Sequence, residues 1–302
     1  MTNVAQEIAV GTQQAAEAQA EAPGARPSRG NWLFRLAVGW LVFVFVMVVL
    51  GWVFGESLPF LEDPKGINPD FIDAGPSLDH WFGNTNFGSD VFSQVVEGGR
   101  ISLFVGIAVT VIGIGIGGGM GLVAGYYRGW IDSLVRLIIN VTLSVPALLL
   151  VIFIVTILGQ SLFWVVFALS LLAIPALARI VRASTLQVAD REFVKAAEVL
   201  GVKRASILVR EVLPNVMPTL VSFAFLTTGI IIVVEGTLSF LGLSVEAPTI
   251  TWGSVISEGR NKFADTPHMV AFPSMVIFLT VLSLNFVGDQ LLKRFDIKET
   301  SL

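Results

Sequence analysis

Few side chains in this sequence could do chemistry. It contains no cysteine, which removes thiolate nucleophiles, disulfides and thiolate metal sites. Two histidines, His80 and His268, are too few for a histidine-rich metal cage; each reads as an ordinary loop residue, and no metal site is expected. No G-x-x-x-x-G-K-(S/T), H-E-x-x-H or G-x-S-x-G word occurs, so the usual phosphate-cradling loop, zinc-protease helix and nucleophile elbow are missing and no catalytic residue is assigned. What remains is a charged run, Asp190 to Pro214, and a lone carboxylate, Glu235, near the end of an apolar stretch. Asn140 and Ser144 are further polar residues within apolar sequence. Polar side chains so placed are either helix-to-helix hydrogen bonds or the lining of a translocation path or gate.

The run DREFVKAAEVLGVKRASILVREVLP holds five basic residues (Arg191, Lys195, Lys203, Arg204, Arg210) and four acidic ones (Asp190, Glu192, Glu198, Glu211). Mixed charge of this kind does not make a basic arm for nucleic acid or anionic lipid. It predicts a folded, water-facing loop, which on pattern alone could be no more than a solvated helix-turn-helix between two spans. Phe193, Ala196, Ala197 and Leu200 recur at the i, i+3, i+4, i+7 spacing of one helix face, and Gly201 ends the pattern where a C-terminal glycine relieves backbone strain. A second short helix is expected from Lys203, stopping before Pro214 because proline cannot donate to the ladder.

These residues are carried by a membrane scaffold. With 302 residues, 54% hydrophobic, 14% charged and a mean hydropathy of +0.78, the chain is an integral membrane protein built from helices. The net charge of -4 says little about partners. Residues 1–31, rich in Ala, Gln, Glu, Gly and Pro, are expected to form a disordered tail, with no n-region and h-region of a cleavable signal peptide. Residues 32–55 make a first span of the length needed to cross about 30 Å of hydrocarbon, and 56–100 a turn-rich loop outside the bilayer. A five-helix core is expected over 101–292, with the charged loop at 183–215 and a short tail at 293–302. Its spans are expected at 101–125, about 133–158 with Pro146 interrupting, 162–181, 216–241 and 269–291. The glycines at 113, 115, 117, 118, 119, 121 and 125 create small-xxx-small steps, a seam for close helix approach.

The charged run resembles the cytoplasmic signature loop of permease subunits from ATP-binding-cassette importers, with Ala196, Ala197, Gly201, Leu213 and Pro214 at matching positions. Lys195 stands where an acid is usual and Glu211 where an isoleucine is usual. Glu192 matches the E-(Y/F)-V-x-A-A variant of the peptide and nickel branch. His80 to Leu103 resembles that branch's H-x-L-G-T-D-x-x-G-R-D-x-x-S-R-x-x-x-G-x-R-x-S-L stretch, departing at Asn84, Thr85, Ser89 and Gln94. Glu235 to Gly253 resembles its E-x-x-LSFLGLG and WG words, and Asn285, Gly288 and Asp289 its closing N-x-x-G-D. The resemblance implies the type I importer permease fold with six transmembrane helices and both termini in the cytoplasm. It also implies a docking loop for an ATPase formed by Glu192, Phe193, Lys195, Ala196, Ala197, Glu198, Leu200, Gly201, Leu213 and Pro214.

By the same resemblance the chain binds no cofactor itself; ATP and Mg sit on two ATPase subunits or one fused ATPase. A second, homologous permease chain completes the membrane part as a heterodimer, an extracytoplasmic binding protein delivers the solute, and membrane lipid surrounds the whole. The solutes implied are di- or oligopeptides, with nickel chelates and glutathione as the alternative within the branch.

Charge places the chain independently. With the N-terminus in the cytoplasm, fifteen of the nineteen Lys and Arg residues fall on or near that side; Lys65, Arg100, Arg260 and Lys262 fall outside. Two readings from other classes are weighed against an importer subunit. A proton- or sodium-driven transporter should show inverted repeats and mid-span acids, and only Glu235 is a candidate. A membrane scaffold would explain the spans but not the signature loop.

Overall fold

Apolar runs in a bilayer must satisfy their backbone polar groups internally. The computed structural model, which describes residues 30–299, does so with helices; among those residues the single β feature is an isolated bridge between Asn84 and Asp90. The chain falls into two units, 1–36 and 37–302. The described part of the first is the opening of α1 (Gly30–Phe54), and all later elements belong to the second. The expected tail 1–31 lies outside the described residues but for its last two, which begin α1.

α2 (Val91–Ile112), one widened π-helical turn (Gly113–Gly118) and α3 (Gly119–Tyr127) form a continuous span. α4 (Gly129–Ser144) and α5 (Ala147–Leu158) meet at Pro146 with a bend of 81°. α6 (Leu162–Ala189) leads to the short α7 (Glu192–Val199). α8 (Arg204–Ile207), a second π turn (Leu208–Val212) and α9 (Leu213–Phe240) again run on as one, followed by α10 (Trp252–Gly259) and α11 (His268–Glu299). Five helices are long and apolar enough to cross a membrane, and the bent α4–α5 pair makes a sixth.

Three boundaries differ from expectation, each for a local reason. The second span begins at Val91, not 101, because Asp90 caps it: its Oδ2 accepts from Ser93 N and Ser93 Oγ, both at 2.7 Å. Its first turns are polar but buried, so hydropathy alone hides them. Pro214 does not stop a helix. The π turn just before it widens the backbone, and a wider turn accommodates both the ring and the missing donor. The charged segment between spans thus shrinks from 183–215 to the stretch between Ala189 and Arg204. α11 continues to Glu299, so 293–299 extends a helix rather than forming a tail.

The glycine seam is real, and its partner is α6. A Cβ at Gly117 would overlap the Ile174 carbonyl, and one at Gly121 or Gly125 would press on Ala178 O or on Thr185. Beyond the seam, Val105, Val109, Val151, Val155, Val165, Leu169 and Leu238 close a common core over α2, α5, α6 and α9.

Polar contacts then mark two separate ends. At one, Lys262 pairs with Asp73, His268 Nε2 meets the Asn84 carbonyl at 3.2 Å, and Gln160 Nε2 donates to Gly242 O at 3.0 Å. At the other, Arg128 pairs with Asp190 at 2.8 Å and Tyr126 OH donates to Glu198 Oε1 at 3.3 Å.

Candidate functional site

The end that gathers Arg128, Asp190 and Glu198 is built around α7. Glu192, exposed in the first turn, suits the positive end of the helix dipole. The end of α7 is a Schellman motif: Val202 N donates to Ala197 O at 3.1 Å and Gly201 N to Glu198 O at 3.0 Å. Gly201 makes this possible with a φ of +77°, a left-handed conformation that costs a side chain strain. The loop is therefore a rigid hook rather than a flexible link.

Which way α7 faces differs from the predicted stripe. Val194 points inward and is buried, with Ala197 half-buried beside it, against Tyr126, Val181, Val188, Ile207, Leu208, Val212 and Val216. The outward face carries Phe193, Ala196 and Leu200, joined by Val199, the last two 82% and 88% exposed respectively. Phe193, Val199 and Leu200 thus form an exposed apolar patch on a helix that is charged elsewhere. Lys195 is exposed and lines a polar cleft of about 340 Å³ with Tyr127, Arg128, Asp190 and Arg204. Leu213 and Pro214 lie apart from this hook, in the first turn of α9.

The packing of Val194 and Ala197 joins α7 to the ends of both α6 and α9. A force on α7 thus reaches two spans through side-chain contact. A further tie went unread in the sequence: Asp132 of α4 receives both Nε and Nη2 of Arg182 from α6, the latter at 2.8 Å, with Arg136 Nε at 3.3 Å. With Asp132, Arg136 and Arg182 form an ion-pair network that pins the start of α4 to α6. The available signal was one acid among cations at the ends of neighbouring spans.

The remaining predicted residues stand elsewhere. Asn140 and Ser144 are exposed on α4, just before the bend; Ser144 Oγ donates to Val141 O at 2.7 Å, and Asn140 has no helix partner to explain it within the described residues. Glu235 lies at the end away from α7 and is 0% exposed. Its Oε1 accepts from Ser239 and Ser244 and its Oε2 from Ser102, all at 3.0 Å. The cluster extends to α10, because Ser239 Oγ meets Thr251 Oγ1 at 2.6 Å and Trp252 N donates to Ser102 Oγ at 3.2 Å. Trp252 itself is buried and hydrogen-bonds Val95 O at 2.8 Å. Glu235 thus joins α2, α9, α10 and the 244 loop.

The described residues thus form a bundle of apolar spans with a capped, partly apolar hook at one end. Comparison with known proteins agrees. Residues 117–299 match the family described as "binding-protein-dependent transport system inner membrane component". The chain is 36% identical over 263 residues to the glutathione transport system permease protein GsiD of Pectobacterium atrosepticum, covering 87% of each chain. It is 37% identical over 257 residues to that of Escherichia coli, covering 85% of this chain and 84% of the relative. Among solved structures, an inward-facing MetNI methionine ABC transporter aligns with a TM-score of 0.55 at 19% identity, over 68% of this chain and 97% of the other. The chain belongs to the family of binding-protein-dependent transport system inner membrane components, as a multi-pass permease subunit of an ABC importer. The secondary-transporter and scaffold readings fall with that result.

Proposed function

We propose that this permease imports short peptides, with glutathione, itself a tripeptide, as the first solute to test. In this reading it pairs with a second homologous permease chain. Two ABC ATPase subunits, or one fused ATPase, hold ATP and Mg and do the hydrolysis, and an extracytoplasmic binding protein delivers the solute. The excess of Lys and Arg places the α7 end in the cytoplasm. Support for the solute comes from the glutathione permeases to which the chain is similar over more than four fifths of its length.

The observation that carries the reading is α7 itself. Phe193, Ala196, Val199 and Leu200 lie in a groove of the ATPase, in the manner of helix-in-groove recognition. When the ATPases close, α7 moves as a rigid piece because its Schellman end and its Val194 anchor leave it no independent freedom. α6 and α9 follow, and the access of the pathway alternates. Asn140 and Ser144, exposed where α4 bends into α5, line that pathway against the partner chain, and Glu235 holds the far ends of α2, α9 and α10 in register.

The test separates the two alanines. Ala196→Trp adds bulk on the outward face only, so it should abolish uptake and ATPase recovery while the permease still inserts. Ala197→Trp strikes the permease's own core as well and is the weaker probe. Uptake at wild-type rate in Ala196→Trp refutes docking through this face.

A further inference from the structure

At the end away from α7, two clefts meet at one carboxylate. The larger, about 410 Å³, runs between Pro64 and Lys65, Ser89, Gln94 of α2 and the stretch leading to Glu258 of α10. The smaller, about 300 Å³, lies between Gln160, Ser244 and the same stretch. Thr249, Ser254 and Glu258 line both.

Two acceptors here have no donor. Gln94 Nε2 donates to Pro64 O at 3.1 Å, which fixes the amide and leaves its Oε1 shielded and unpartnered. Glu258 Oε1 is likewise shielded and unpartnered, while Thr85 hydrogen-bonds the carboxyl. Among the described residues that line the clefts the basic side chain is Lys65, exposed at the rim, and Glu246 adds a second acid to the smaller cleft. Here Ser89 spends its hydroxyl on Gly66 O at 2.6 Å, and Gln94 presents an oxygen. Both clefts thus present acceptors, with Lys65 at the rim of the larger one as the basic side chain among the described lining residues.

We propose that this cleft binds the ammonium group of a peptide-like solute, with the Glu258 carboxylate and Gln94 Oε1 as its acceptors. An ammonium has three donors and no acceptor. It therefore suits one charged and one neutral oxygen, with the Thr249 or Ser254 hydroxyl within the same cleft as the third. Both oxygens sit back from solvent, so the pair forms in a low dielectric, where a charge-assisted hydrogen bond is strongest. Burial also raises the Glu258 pKa, and an arriving cation reverses that preference. This inference rests on the peptide-import reading and adds to it a residue that touches the solute.

The experiment uses the intact importer in nanodiscs, titrated directly with reduced glutathione and with N-acetylglutathione, with binding read by saturation-transfer NMR. Uptake of glutathione is assayed in parallel with the binding protein present. Wild type should bind glutathione and reject the acetylated form. Glu258→Gln should weaken glutathione about tenfold, a change of about 1.4 kcal/mol. Gln94→Arg, which sets a fixed cation in the cleft that Glu258 also lines, should weaken it at least as much. Equal binding of the two ligands, or unchanged binding in Glu258→Gln, overturns the ammonium site while wild-type uptake leaves the importer reading standing. Absence of both uptake and binding in wild type overturns the solute reading, and this site with it. If Glu258→Gln lowers uptake but not direct binding, the carboxylate contacts the binding protein and the proposal is wrong.

Discussion

Replacing Glu235 shows how far one buried carboxylate holds the end of the bundle away from α7. Its carboxylate is fully buried and accepts three hydroxyl hydrogen bonds at 3.0 Å, from Ser102, Ser239 and Ser244. Glu235→Leu removes all three acceptors. Each of the three hydrogen bonds contributes about 1 kcal/mol net. The net loss is about 3 kcal/mol. Glu235→Gln keeps one oxygen for Ser239 and Ser244 and offers an amide to Ser102, whose Oγ already accepts from Trp252 N. Only one hydroxyl must turn, at a cost of about 1 kcal/mol. Thermal unfolding of the importer in nanodiscs reads the difference, at roughly 2 °C per kcal/mol for a chain of this size. The Leu variant should melt about 6 °C below wild type and the Gln variant about 2 °C below. A Leu variant as stable as wild type would show that the carboxylate ties nothing together. Because Glu235→Gln leaves the fold nearly intact, it should change uptake more than complex assembly. Wild-type uptake in that variant would make Glu235 purely structural.

Other perturbations probe the hook, the seam and the clefts. Gly201 has open space where a Cβ would go, so Gly201→Ala isolates the cost of its left-handed backbone, about 1 kcal/mol. Frayed α7 should then lose uptake at unchanged membrane insertion, measured by transport and by membrane yield; unaltered transport would mean that the hook need not be rigid. Gly117→Val must push the π turn away from the Ile174 carbonyl of α6, and should lower the folded yield far more than Gly115→Val, where nothing lies within reach. Equal yields would contradict the seam. The Glu258 pKa is raised by burial, so the native state binds its proton more tightly than the unfolded chain. Its stabilising contribution is complete below the unfolded pKa and is lost as pH rises through the folded pKa. In ligand-free importer, Glu258→Gln should therefore gain stability relative to wild type across that rise and match it at acid pH. Parallel pH–stability curves would rule this out.

Much of the architecture was legible because the bilayer allows so few solutions. Hydropathy located every span, and Gly201 announced the end of α7 through the one property that glycine alone supplies. What stayed hidden required contact between distant segments. Residues 91–100 read as loop because Ser93 and the Gln94 amide nitrogen bond within the protein, Ser93 Oγ to Asp90 and Glu62 N and Gln94 Nε2 to Pro64 O. Pro214 read as a stop because a π turn leaves no hydropathy signature. The α7 stripe was visible, but periodicity does not say whether a face meets its own core or another protein. Here Val194 and Ala197 take the inside and leave Phe193, Ala196 and Leu200 out. Glu235 was visible as an anomaly, yet its three hydroxyl donors come from positions 102, 239 and 244, which the sequence does not join. Glu258 drew no notice at all, since nothing in the sequence brings it to Thr85 and Gln94.

The central claim is that α7 docks on an ATPase, and the chain is well suited to a direct test because it has no native cysteine. Val199→Cys places a single thiol on the outward face, where the native side chain is 88% exposed. It would be cross-linked in native membranes and its partner identified by mass spectrometry. Docking predicts one dominant adduct, to a protein with a phosphate-binding loop, suppressed by Ala196→Trp in the same chain. Adducts only to membrane chains, or ready labelling of the thiol by an impermeant reagent added outside the cell, would contradict it.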